Sequence, residues 1–142
     1  MPKNKKICYI ENNEEITTNN FSKLFIVFNE FLCTIKLHYL MTNKYIIHTN
    51  INNLYNNLSC LINKFFEEYI ILYKSDIPSS INNITINVSC NSNNELIPCI
   101  LNFRDNIKIY YENKDDNNVG INNLLNEIIY LINKFLYVIT LE

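Results

Sequence analysis

With 142 residues and a net charge of −2, the chain has room for one ordinary domain and lacks the basic excess of a dedicated nucleic-acid binder. It is 48% hydrophobic and 18% charged, a balance that belongs to folded chains despite the many asparagines. Its single glycine excludes the P-loop, the G-x-G-x-x-G turn and the G-x-S-x-G elbow, each of which needs at least two.

Residues 1–6 are basic, but only a four-residue apolar run (residues 7–10) follows before Glu11, too short for a signal sequence. Later apolar runs are broken by Asn, Glu or Lys, so no membrane span is expected and the chain reads as cytosolic. The cysteines at 8, 33, 60, 90 and 99 form no C-x-x-C pair and no zinc-like spacing with His38 or His48. Their apolar neighbours and odd number predict reduced, buried thiols, and neither metal nor cofactor is expected.

Residues 7–10 read as a short strand, 11–15 as a polar connector and 16–18 as a resumed strand. The apolar run over residues 23–41 fits either one buried helix or a hairpin, and a later segment arbitrates. Residues 96–112 contain Pro98, a polar Arg104-Asp105-Asn106 break and alternation through Ile107-Lys108-Ile109. Proline in an interior helical turn costs about 3 kcal/mol, whereas an edge strand tolerates it. A hairpin of residues 96–103 and 107–111 is therefore expected, and by equivalence one of residues 24–28 and 33–39.

Residues 45–48 add an extra strand or the lead-in to a helix, with Thr49 or Asn50 as its N-cap. Ile51, Leu54, Leu58, Leu61, Ile62, Phe65, Tyr69 and Leu72 then form one stripe of helical period. Residues 75–80, Ser-Asp-Ile-Pro-Ser-Ser, end that helix. Residues 84–90 alternate cleanly and read as a strand, 114–120 form a polar loop, and 121–139 carry a second apolar helical stripe.

The two helical stripes match. Both segments open Ile-Asn-Asn-Leu and both carry Leu-Ile-Asn-Lys-Phe, so residues 51–65 share ten of fifteen positions with residues 121–135. Upstream, residues 24–31 align with 96–103 and residues 34–39 with 106–111. This pattern points to an internal duplication. The fold expected is α+β: an antiparallel sheet with two amphipathic helices on one face, in a single domain of two β-β-β-α-like pseudo-repeats, residues 7–74 and 77–142.

Candidate chemistry is sparse. Glu67-Glu68 and Asp115-Asp116 are adjacent carboxylates that on a helix point about 100° apart and share no site. Cys33 and His38 would fall on opposite faces of a strand. Lys36, His38, Arg104, Lys108 and Tyr110 would share the outer sheet face, an arrangement suited to a weak RNA-binding module. One asymmetry is sharper. Where the first helix has Glu67-Glu68, the second has Tyr137-Val138, followed by Leu141. Phe31 raises the same point near the expected hairpin turn. Surplus apolar residues at such places imply burial against a partner.

The function expected is thus non-catalytic protein binding, as a complex subunit, an assembly chaperone or a toxin-neutralising immunity-type protein. Its partner would be another protein or a second copy, bound through Phe31, Tyr137, Val138 and Leu141. The alternative is a small apolar ligand held in a cleft between the pseudo-repeats, lined by Tyr and Phe.

Overall fold

The computed structural model describes residues 21–74, 77, 96–114 and 118–140. They form four helices: α1 (Phe21–Met41), α2 (Tyr45–Leu72), α3 (Leu96–Asn113) and α4 (Val119–Thr140). Among the described residues there is no strand, and this overturns the α+β expectation. The strands expected at residues 7–10, 16–18 and 84–90 lie outside the described residues.

Both expected hairpins are continuous helices. In α1, Leu24, Val27, Phe28, Phe31 and Ile35 recur with the spacing of one helical face, and all are buried. In α3, Leu96, Cys99, Ile100, Phe103, Ile107 and Tyr110 do the same. Pro98 does not oppose this helix because α3 begins at Leu96. It stands in the first turn, where an amide has no intrahelical acceptor and its loss removes no bond. The Arg104-Asp105-Asn106 segment lies within the same helix, with Arg104 half-buried, Asp105 exposed and Asn106 buried. Three alternating residues, Ile107 to Ile109, are equally compatible with a helix whose Lys108 points outward.

α2 begins at Tyr45, so residues 45–48 are its first turn rather than a strand. Its N-cap is Lys44, with extended backbone (φ −89°, ψ 119°) and no side-chain capping bond. Neither Thr49 nor Asn50 caps the helix. Asn50 instead donates from Nδ2 to the Ile46 carbonyl at 2.8 Å, one turn back. The α1–α2 corner is closed by the Thr42 amide bonding the His38 carbonyl at 2.9 Å. His48 stacks on Tyr39 with centroids 4.2 Å apart, and its Nδ1 lies 3.0 Å from the Tyr39 carbonyl. Since a carbonyl only accepts, Nδ1 bears the proton in that contact. At the other corner Asn118 caps α4, its Oδ1 accepting from the Ile121 amide at 2.9 Å.

Each helix packs on two neighbours, giving the order α1, α2, α4, α3 around the bundle, with α2 on α4 the most extensive pairing. Directions follow from side chains. Phe65, late in α2, touches Phe28, early in α1, and Tyr110, late in α3, at 5.1 and 6.3 Å between centroids. A Cβ at Gly120, at the start of α4, would lie 3.5 Å from Glu68 Oε1 near the end of α2. Hence α1 and α4 run one way, α2 and α3 the other, and all neighbours are antiparallel.

The sequence match maps onto this bundle as two helical hairpins, α1–α2 and α3–α4. Leu24, Phe28, Phe31 and Ile35 align with Leu96, Ile100, Phe103 and Ile107, and all eight are buried. Ile51, Leu58, Ile62 and Phe65 align with Ile121, Ile128, Ile132 and Phe135, which are buried as well. Equivalent helices are adjacent and antiparallel, the arrangement produced by a two-fold axis perpendicular to the bundle. The rings of Phe31 and Phe103 meet on that axis, 3.9 Å apart and within 4° of parallel.

The cysteines depart from expectation. Cys33 and Cys60 are free but exposed, on outward helix faces, and Cys99 is buried and disulfide-bonded. Cys8 and Cys90 lie outside the described residues.

Candidate partner-binding surface

A helix contributes to a surface through residues three, four, seven and eleven apart. On α4 this spacing aligns Val119, Tyr130 and Tyr137 along its outward face, exposed by 69, 62 and 65%. From Val119 to Tyr137 the row runs about 27 Å. Around it lie the exposed Asn123, Asn126, Glu127, Asn133 and Lys134. The aligned positions on α2 show what the same fold accepts without tyrosine: Cys60 stands at the place of Tyr130 and Glu67 at that of Tyr137. Nothing in the packing of the bundle requires those two rings.

A second apolar group lies at the same end of the bundle as Tyr137. α1 and α4 run in the same direction, so the α1–α2 corner and the last turns of α4 share that end. Leu40, Met41 and Tyr45 are exposed there, by 64, 64 and 80%. The residues aligned with Leu40 and Met41 are Glu112 and Asn113, both exposed at the opposite end. The apolar character of this corner is thus also a property of one hairpin and not of the fold.

The structure separates the residues that the sequence grouped. Tyr137 is exposed, Val138 is half-buried, and Leu141 lies outside the described residues. Phe31 is fully buried against Phe103, so its ring cannot meet a partner. The reason is that no hairpin turn exists there; Phe31 faces the bundle from the middle of α1. The outer sheet face proposed for RNA is absent with its sheet. Of its residues, His38 and Tyr110 are buried, at aligned positions on α1 and α3. Lys36 is exposed, with Nζ 4.9 Å from the Tyr55 ring and 5.6 Å from that of Tyr39. Arg104 donates from Nη1 to Asn133 Oδ1 at 2.9 Å and contacts Asp105 at 3.6 Å, while Lys108 is exposed one turn along α3. These side chains form no common surface.

Rings meet across the boundary between the two halves, where Phe31 and Phe28 of α1 both pack on Phe103 of α3. Phe28 contacts Phe65, Phe66 and Phe103 at 5.1, 5.4 and 5.7 Å, largely edge to face. A polar strip beside them escaped the sequence reading. Glu30, Thr34 and His38, one turn apart on α1, are buried, as is Asn106, the residue aligned with Thr34. Asn106 donates to the Asn102 carbonyl at 2.8 Å. The i, i+4, i+8 spacing of Glu30, Thr34 and His38 was the available signal, visible only once residues 21–41 are read as one helix. Among the described residues no group of three His, Cys, Asp or Glu is placed to hold a metal ion. α1 is long and apolar enough to cross a membrane by length and composition, with mean hydropathy 1.4. Here its apolar face packs on α2 and α3.

Residues 38–139, from the end of α1 through α4, match the model described as "Family of unknown function (DUF5856)", and the chain belongs to that family. No curated protein and no solved structure matches the chain.

Proposed function

We propose that the protein is a non-catalytic binding protein, a subunit or assembly factor that docks a partner protein through the outward face and distal turns of α4. The observation that carries this reading is the exposure of Tyr137 where the aligned position of α2 holds Glu67. Tyrosine buries a large ring at low entropic cost and keeps a polar tip, which is why it is favoured at interfaces. The exposed corner of Leu40, Met41 and Tyr45 at the same end widens the apolar area available. Rings packed between the hairpins support a protein partner over a small ligand, since they occupy the space a ligand would need.

Changing Tyr137 and Val138 together to Glu restores the pattern of α2, where Glu67 and Glu68 are tolerated. Stability should move by less than about 1 kcal/mol, because Tyr137 is exposed and the half-buried Val138 aligns with Glu68, which the fold carries at an equally half-buried position. Binding of the partner, captured with the wild-type chain and then titrated against both forms, should weaken at least about tenfold, or 1.4 kcal/mol. A folded double variant that binds with unchanged affinity would move the interface away from α4.

A further inference from the structure

The outward face of α4 carries a charge pattern that fits its own reverse. Glu127 and Lys134 are exposed, seven residues apart, on the same flank of the row that contains Tyr130 and Tyr137. Two copies of α4 laid antiparallel, with Tyr130 level with Asn133 of the other copy, bring Tyr137 level with Asn126. Glu127 of each copy then falls within a turn of Lys134 of the other. The alignment closes under a two-fold axis, so both charge pairs form at once and no like charges face each other. Asparagine at the remaining seam positions, Asn123, Asn126 and Asn133, offers donors and acceptors to the tyrosine hydroxyls. α2 does not share this device. Its Lys64 and Glu67 lie three residues apart, and Cys60 and Glu67 stand where α4 has tyrosines. We infer that the partner bound by the α4 face is a second copy of this chain, joined as an antiparallel α4–α4 homodimer whose register is set by Glu127 and Lys134. This rests on the reading of α4 as the binding surface and names what occupies it.

The test is sedimentation of the full chain over a dilution series, at low salt because exposed pairs are screened. The wild type should show a concentration-dependent monomer–dimer equilibrium. Glu127→Lys alone, or Lys134→Glu alone, turns both interchain pairs into like-charge pairs, and each should weaken self-association about tenfold. Mixing these two variants should restore association as a heterodimer, because each chain then meets only opposite charges. The Glu127→Lys/Lys134→Glu double variant should again self-associate. Melting curves for all forms should coincide with wild type at concentrations where each is monomeric. A wild type that stays monomeric throughout overturns the homodimer. If Tyr137→Glu/Val138→Glu still abolishes binding of a different protein, the α4 reading survives that loss. Dimers that ignore the charge exchanges overturn the proposed register and with it the inference.

Discussion

Phe31 and Phe103 stack face to face, with ring centres 3.9 Å apart and planes 4° from parallel, and they are aligned residues of the internal sequence match. A residue that meets its own counterpart marks the axis relating the two halves. Around this pair Phe28 contacts Phe103 at 5.7 Å and Phe65 at 5.1 Å, so the stack joins the rings of three helices. The two hairpins are therefore bound to each other through α1 on α3 as well as through α2 on α4. Neither hairpin buries its apolar stripe without the other.

This stack should behave as a coupled unit. Phe31→Ala and Phe103→Ala each remove a fully buried ring and should cost about 3–5 kcal/mol in urea denaturation. The double variant should lose less than the sum of the two, by about 0.5–1.5 kcal/mol, because the ring–ring term can be lost only once. Strict additivity would show that the stack contributes nothing beyond the burial of each ring.

Helix α3 yields a sharper test, because the hairpin and helix readings differ at one exposed residue. Asp105 would sit in a turn of the expected hairpin, where proline is well accommodated. In the structure it is interior to α3, and Asp105→Pro removes a backbone bond and clashes with the preceding turn, costing about 3 kcal/mol or more. Pro98→Ala, in the first turn, should change stability by less than about 1 kcal/mol. Circular dichroism melts of the two variants check both statements. A fully stable Asp105→Pro would return a break to the middle of α3.

The stripes of α2 and α4 were legible because each runs over five or more turns, long enough for the 3.6 period to dominate. The stripes expected from Ile51 to Leu72 and from Ile121 to Ile139 are the faces that the bundle buries over most of their length, with Leu72 exposed at the end of α2 and Ile139 half-buried near the end of α4. α1 and α3 were misread for local reasons. Pro98 argues against a helix only from its interior, and it stands at the start of α3, while the alternation at Ile107–Ile109 is only three residues long and fits a strand and a helix equally. The wider spacing of Leu96, Ile100, Phe103, Ile107 and Tyr110 carried the helical answer. Because the internal match ties residues 24–39 to residues 96–111, a hairpin expected in the second segment implies one in the first, and both are helices. Of the candidate surface, Tyr137 was legible from the contrast with Glu67. Tyr130 was not, since its aligned residue Cys60 gives no charge contrast. The corner at Leu40 and Met41 lies beyond the strand expected at residues 33–39, and only a helix continuous over Phe21–Met41 carries it into view.

Thr34 tests the polar strip of α1. Its hydroxyl is fully buried, and Oγ1 has no hydrogen-bond partner in the structure. A buried unsatisfied group costs about 1–3 kcal/mol, and an apolar group of the same shape removes that cost. Thr34→Val should therefore raise stability by about 1 kcal/mol, with helix propensity nearly unchanged. Thr34→Ala, which also leaves a small void, should gain less. A loss of stability in the valine variant would mean that the hydroxyl is bonded in solution.

The two hairpin corners differ in their caps, and this difference leads to opposite effects of substitution. α4 begins at Asn118, whose Oδ1 accepts from the Ile121 amide at 2.9 Å. Asn118→Ala should cost about 1 kcal/mol, and Asn118→Asp should retain the bond while placing a negative charge at the positive end of the helix. α2 begins at Lys44, whose side chain makes no capping bond and sets a positive charge at that same kind of terminus. Its backbone already has the extended conformation of an N-cap, so a short acceptor needs no rearrangement. Lys44→Asp should then stabilise the protein by about 1 kcal/mol, the sum of a new amide bond and a reversed dipole interaction. Salt separates the two contributions, because the dipole term is screened while the hydrogen bond is not. Melts at low and high ionic strength should show most of the gain persisting. A Lys44→Asp variant no more stable than wild type at either ionic strength would place the start of α2 elsewhere than Tyr45.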